Sequence, residues 1–320
     1  MLNSNPTQTP IPTQKPAQMN KIVVLGSSNT DLVVRTGRMP LPGETLLGEQ
    51  FMMTAGGKGA NQAVAVSRLG DGVTFIAKVG RDMFGDSSVA GYEKEGIDTR
   101  TVLRDDTAPS GIAVITVDAQ AENSIVVVPG ANNNLSKADV DALRRDIESA
   151  QFLLMQLETP VEVVAHAAAM ARKAGVKVIL NPAPAAELPA ELLDGLYIIT
   201  PNRTEGQMLT GIEISDWESA ERAAQSLVSK GVQNVVITLG SQGALVCDGK
   251  NFERIPARKV KAVDTTAAGD TFNGAMCVAL SEGATLSDAV RFASRASAIA
   301  VTRLGAQASI PYRKELDGKE

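Results

Sequence analysis

Asp264-Thr265-Thr266-Ala267-Ala268-Gly269-Asp270-Thr271-Phe272-Asn273-Gly274 runs small residues directly into an acid, and a helix-like stretch follows. Backbone N–H groups at a helix start point outward unpaired and attract anions. Alanine and glycine let a phosphate approach that backbone closely. A carboxylate in the same turn can take a proton from an attacking hydroxyl. The helix dipole alone also favours an acid in a first turn, so the rest of the chain has to decide between the two readings.

Working outward from this segment, short apolar runs alternate with helical patterns. Strands are expected over Ile22–Leu25, Thr74–Val79, Phe152–Gln156, Lys177–Leu180, Tyr197–Thr200 and Asn234–Leu239. Helices are expected over Gly59–Leu69, Phe84–Glu95, Val161–Ala174, Thr204–Leu209, Trp217–Lys230, Ala268–Ser281 and Leu286–Val301. That alternation predicts an α/β fold of parallel strands with right-handed crossovers. Ligands of such sheets sit beyond the carboxyl ends of the strands. Leu32–Phe51 and Thr101–Val128 are β-rich with no helix between, and read as a small second sheet, antiparallel in kind, standing over the site as a lid.

A chain of 320 residues is long enough for a substantial core. Its net charge of −5 and 3% aromatic content offer neither a basic face nor stacking platforms, which argues against nucleic acid. No apolar run reaches membrane-spanning length. Cys247 and Cys277 form no motif and read as buried thiols of a reducing, cytoplasmic compartment. Residues 1–18 are rich in Pro, Thr, Gln and Asn, with Lys15 as their one charge, and read as a disordered tail before a folded region over 19–320. His166 is the only histidine, which excludes a Ser-His-Asp site elsewhere.

Four further segments could bear chemistry. Gly56-Gly57-Lys58-Gly59-Ala60-Asn61-Gln62 offers close backbone approach and an amide for a polyol, or a turn with a helix C-cap. It is not a Walker A loop, because Gly rather than Ser or Thr follows Lys58. Asn29 and Asp31 could grip sugar hydroxyls, or form an Asx turn. Asn202 and Glu205 share a helical face and could organise hydrated Mg²⁺; the same spacing makes a capping box. Thr238-Leu239-Gly240-Ser241-Gln242-Gly243 suits nucleotide contact, or a turn into another strand. No G-x-G-x-x-G follows the first strand, so a nicotinamide dinucleotide enzyme is disfavoured.

Together these segments resemble the ribokinase family of sugar kinases, the PfkB-type carbohydrate kinases. Gly56 to Ala63 and Asp264 to Phe272 carry its two signatures. Met155-Gln156-Leu157-Glu158, Asn181-Pro182-Ala183-Pro184-Ala185, Ile237 to Gly240 and Val301 to Gln307 extend the likeness from about Lys21 to Lys314. The resemblance implies a ribokinase-like three-layer fold, with a mostly parallel central sheet between helices and a β lid inserted from about 32–51 and 101–128. It implies ATP-dependent phosphorylation of the 5-hydroxyl of D-ribose, with a related kinase of 2-deoxyribose or a nucleoside as the alternative. Asp270 would be the base, and the amides of Ala267, Ala268 and Gly269 the anion hole. Asn29, Asp31, Gly57, Lys58, Asn61 and Glu158 would hold the sugar; an amide at Asn29 suits a polar 2-hydroxyl. Asn202, Thr238, Gly240, Ser241, Gly243 and Gly269 would contact ATP, with Glu205 ordering Mg²⁺ through water. Ser294 stands where the family often places His or Asn against adenine. Asp264, Thr266, Ala300, Arg303, Gly305 and Ser309 match the positions of a K⁺ site. The lid implies a homodimer.

A non-catalytic sugar-binding protein on the same fold would be signalled by loss of the acid or of the glycine before it. Both Gly269 and Asp270 are present.

Overall fold

The structure is a computed structural model that describes residues 21–70, 72–120 and 122–317; the expected tail over 1–18 lies outside the described residues. In chain order the strands are β1 (Ile22–Leu25), β2 (Asn29–Arg35), β3 (Gln50–Gly56), β4 (Thr74–Gly80), β5 (Val102–Asp105), β6 (Gly111–Val117) and β7 (Asn123–Val128). They continue with β8 (Phe152–Met155), β9 (Lys177–Leu180), β10 (Ile198–Ile199), β11 (Asn234–Thr238), β12 (Ala244–Cys247) and β13 (Phe252–Ile255). The helices are α1 (Lys58–Leu69), α2 (Met83–Lys94), α3 (Lys137–Ala142), α4 (Arg144–Glu148) and α5 (Val161–Lys173). After them come α6 (Ala190–Leu193), α7 (Arg203–Thr210), α8 (Trp217–Ser229), α9 (Ala268–Ser281) and α10 (Leu286–Ala300).

Among the described residues the main sheet has nine strands in the order β13-β12-β11-β10-β9-β8-β1-β4-β5. All its pairings are parallel except β11–β12 and β12–β13. Both faces are covered, and strand alternation sorts the side chains. Ile22, Val24, Phe75 and Leu154 pack with α1, α9 and α10, whereas Val23, Leu25, Ile76 and Leu153 pack with α5 and α8. Burial on both faces is why these strands read as continuous apolar runs rather than as alternating ones. α9 packs against both α1 and α10 and places its first turn at the carboxyl edge of the sheet.

The second sheet has the order β3-β2-β6-β7. It differs from the sequence expectation in two respects. Val102–Asp105 lies inside the expected lid range but pairs parallel with β4, in the main sheet. The lid is also not purely antiparallel, because β2 and β6 run parallel. Its strands begin at Asn29 and extend to Gly56, beyond the expected 32–51, while most of the chain between Arg35 and Gln50 is not strand. Asn29 and Asp31 therefore lie in a lid strand, not in an Asx turn. β12 and β13 form an edge hairpin that periodicity did not single out.

Candidate active site

β1 and β8 are neighbours, and from this pair the strand order runs outward in both directions. A reversal of this kind opens a crevice at the carboxyl ends of the strands. Ser27 follows β1 and Glu158 follows β8, and they meet there: the Ser27 hydroxyl donates to Glu158 Oε2 at 2.5 Å. The Lys58 N–H donates to the same oxygen at 2.9 Å, which fixes the start of α1 over the crevice. Gly57 precedes that helix at φ +90, and a Cβ there would lie 2.7 Å from the Asn29 nitrogen. The glycine is thus required both by conformation and by close approach, at a helix start rather than at a C-cap.

Asp270 sits in the first turn of α9 and is 7% exposed. Asn61 Nδ2 donates to its Oδ2 at 2.9 Å and Gln62 Nε2 to its Oδ1 at 3.0 Å. Gln62 is itself held: its Nε2 also donates to Asn181 Oδ1 at 3.0 Å, and its Oε1 accepts from Gln156 Nε2 at 2.6 Å. Sequence reasoning passed over Gln62, Gln156 and Asn181 as parts of the site. The buried Asn61 Oδ1 has no partner among the described residues, which leaves an acceptor for a donor brought by a ligand.

Burial is the main cause that raises the Asp270 pKa; Lys58, Asn61 and Gln62 oppose it, and Glu158 adds to it. Burial likewise raises Asp31 to about 6, with the charges of Glu158 and Asp270 behind it. Burial pulls Lys58 down, but Asp270, Glu158 and Glu205 outweigh it and leave its pKa raised. One lysine and four carboxyl groups therefore share a single electrostatic neighbourhood, the pattern of a site built for charge transfer.

A cavity of about 710 Å³ opens beside this crevice. Asn202, Thr238, Gly240, Ser241, Gly243, Gly269 and Ser294 all line it, with Arg203, Lys259 and Phe272, to which sequence reasoning had given no role. Its size suits a nucleotide. Gly243 has φ +109, and a Cβ there would overlap the Ile255 carbonyl. Thr238 and Asn202 form a parallel bridge that joins the two loops. The capping box is present: Asn202 Oδ1 accepts from the Glu205 N–H, and Glu205 accepts from the Asn202 backbone and side-chain nitrogens at 2.9 and 2.8 Å. The cap orients the Glu205 carboxylate without using its remaining lone pairs.

Ala267 caps α9 at φ 58, the only non-glycine residue with positive φ among those described. Left-handed backbone at a non-glycine residue is uncommon and clusters at functional sites. The Ala268 N–H donates to the Thr265 carbonyl at 3.2 Å, while Ala267 and Gly269 make no such bond among the described residues. The expected trio of free amides is thus narrowed to Ala267 and Gly269.

Residues 19–313 match the pfkB family carbohydrate kinases. The chain belongs to that family. A ribokinase of Haemophilus influenzae is 47% identical over 92% of this kinase and 96% of its own length. A deoxyribokinase of Salmonella typhi is 39% identical over 91% of this kinase and 95% of its own length. The structure of Arabidopsis thaliana ribokinase complexed with ribose and ATP superposes with a TM-score of 0.86 at 34% identity, covering 92% of this kinase and 96% of that chain.

The six expected cation positions of the kinase fall on two adjoining segments. Asp264 joins them: its Oδ2 accepts from the Gly305 N–H at 2.9 Å and its Oδ1 from Thr266 N–H and hydroxyl at 2.9 and 2.6 Å. Burial opposes ionisation of Asp264, but these bonds outweigh it and hold its pKa below the usual value. Arg303 commits its guanidinium to Glu315 at 2.5 Å and so can offer only backbone. Ser309 donates to the Ala306 carbonyl at 2.8 Å and keeps its lone pairs, and the Ala300 carbonyl accepts from the Arg303 N–H. His166 lies on α5, bonded to Asp141 of α3. Cys247 and Cys277 are buried and unpaired. No helix among the described residues is long and apolar enough to cross a membrane.

Proposed function

We propose that this carbohydrate kinase transfers the γ-phosphoryl group of ATP to the 5-hydroxyl of D-ribose. The observation that carries the proposal is the buried Asp270 carboxylate, held by Asn61 and Gln62 at the start of α9, between a polar crevice and a nucleotide-sized cavity. The names of the curated relatives supply the sugar. Asn29, Asp31, Gly57, Lys58, Asn61 and Glu158 hold ribose so that its 5-hydroxyl meets Asp270. Asp270 accepts the hydroxyl proton as the oxygen attacks phosphorus. The free amides of Ala267 and Gly269, at the positive end of α9, take up the charge on the transferring group.

Glu205 and Asn202 fit a hydrated Mg²⁺, whose charge neutralises the phosphates when bound. The ionised Asp264 and the carbonyls around it fit K⁺, which would shape the anion hole without touching substrate. Closure of the lid excludes water from the reacting phosphate. The lid face turned away from Asp31 exposes Phe51, Met53, Val114 and Val126, and we assign it to a homodimer contact. The buried thiols suit the cytoplasm.

The deciding assay is ADP release with Mg²⁺ and K⁺ across D-ribose, 2-deoxyribose, fructose, adenosine and no sugar. A kcat/KM highest for D-ribose is expected. Activity confined to 2-deoxyribose or adenosine would overturn the sugar assignment and leave the chemistry standing.

The Asp31 carboxyl makes the sugar KM depend on pH. Sugar hydroxyls donate to the ionised carboxylate, and the proton is bound below about pH 6 in the sugar-free protein. KM for ribose is therefore expected to rise as pH falls below 6, approaching about tenfold per unit. Asp31→Asn should show a raised but flat KM over the same range. A sloping KM in that variant would assign the titration elsewhere.

A further inference from the structure

Asn132 lies in the single 3-10 turn that follows the last lid strand and is 1% exposed. Its side-chain orientation is dictated by backbone groups of unambiguous polarity. Its Oδ1 accepts from the Ser28 N–H at 2.8 Å, and its Nδ2 donates to the Pro129 carbonyl at 2.9 Å and the Ser28 carbonyl at 3.1 Å. Reversing the amide would set oxygen against two carbonyls and nitrogen against an N–H. Asn29 Oδ1 also lies 2.8 Å from Asn132 Nδ2, whose two hydrogens are shared among these three oxygens. The direction of the first amide thereby fixes that of the second. Asn29 must offer its oxygen to Asn132, so its Nδ2 is the atom left for the substrate.

Gly111 provides a second observation. It pairs with Asn29 across β2 and β6, and a Cβ there would overlap both Asn132 Nδ2 and Asn29 Oδ1. The absent side chain leaves room for the amide-to-amide contact. Asp31 shares a strand face with Asn29, two residues on. One residue of the pair is thus a fixed donor, and the other, once ionised, is an acceptor only. A hydroxyl has one hydrogen: it can accept from Asn29 and donate to Asp31, but it cannot donate to two acceptors at once.

We propose that Asn132 is a positioning residue that sets Asn29 as a hydrogen-bond donor and thereby the preference for a sugar carrying a 2-hydroxyl. This rests on the ribose reading above and adds the device that selects it. Asn132→Asp keeps the shape and the acceptor for Ser28, but presents oxygen to Asn29. The Asn29 amide then turns and offers an acceptor to the sugar. Asn29→Asp makes the same change at the sugar without disturbing Asn132, and serves if the first variant does not fold.

The measurement is kcat/KM for D-ribose and for 2-deoxyribose, with KM for ATP alongside. Both variants are expected to lower the ribose-to-2-deoxyribose ratio by about tenfold or more, with KM for ATP changed by less than about threefold. In an Asn29→Ala background, Asn132→Asp should leave the ratio unchanged. Equal losses for the two sugars, or a further fall of the ratio in the Asn29→Ala background, would overturn the positioning role. A parent enzyme that prefers ribose and keeps its ratio in Asn29→Asp would overturn this inference alone. A parent indifferent to the 2-hydroxyl would overturn it together with the ribose assignment.

Discussion

Asp270→Asn is expected to lower kcat by about 10³-fold, within the 10²–10⁴ range that a positioned base contributes, while KM for sugar changes by only a few-fold. The local hydrogen bonding explains why binding should survive. Gln62 cannot reverse its amide, because its oxygen accepts from Gln156 and its nitrogen also serves Asn181. The new amide must therefore turn its oxygen to Gln62 and its nitrogen to Asn61. Asn61 can reverse, since its Oδ1 has no partner to lose. The variant thus keeps its contacts within the protein, loses the lone pair that takes the proton, and turns Asn61 from acceptor to donor toward the ligand, which accounts for the few-fold change in KM. Turnover within about tenfold of the parent would remove Asp270 from the chemistry. Linkage gives a second readout. A carboxyl whose folded pKa is raised stabilises the fold below its unfolded value of 3.8, and that contribution is lost as pH rises through the folded pKa. The parent should therefore lose more Tm than the variant between about pH 4 and neutrality.

Why Asp270 was legible in the sequence as a candidate base, and the residues that hold it were not, follows from distance along the chain. Ala268 to Ser281 carries a helical pattern, a small-residue entry and an acid in one local stretch, and the helix appears with those bounds. Ile22–Leu25 and Lys177–Leu180 were likewise readable, because strands covered on both faces are apolar without interruption. Val102–Asp105 shows the limit. A short β run carries no mark of which sheet it will join, and the nearest strand with a free edge, β4, took it. Asn29 and Asp31 stood out as candidate sugar contacts, but the parallel pairing that puts them in the lid joins residues about eighty apart. The same applies with more force to Gln62, Gln156, Asn181 and Asn132. Each is an ordinary amide in sequence, and its meaning comes from a partner 94 to 119 residues away.

Lys58→Met is expected to reduce kcat/KM by about 10²–10³-fold, and to do so through two separable effects. The Lys58 ammonium makes no hydrogen bond or ion pair within the described residues, although Asp270, Glu158 and Glu205 all act on it. A cation surrounded by carboxylates yet bonded to none is available for a charge that arrives with substrate. If the triphosphate supplies that charge, a role confined to holding the sugar understates this residue. Its loss removes transition-state stabilisation from the phosphoryl group. It also removes the strongest influence opposing the raised pKa of Asp270, so the base stays protonated to higher pH. The acid limb of kcat should then move upward, which truncation of a sugar contact alone cannot cause. Lys58→Arg should recover little, because a planar guanidinium cannot replace a compact ammonium in a buried site. A variant with raised sugar KM, parental kcat and an unmoved acid limb would return Lys58 to sugar binding alone. Combining the change with Asp270→Asn divides the two effects: with no base left to titrate, the pH displacement should vanish. Whatever further loss Lys58→Met then causes measures its action on phosphate.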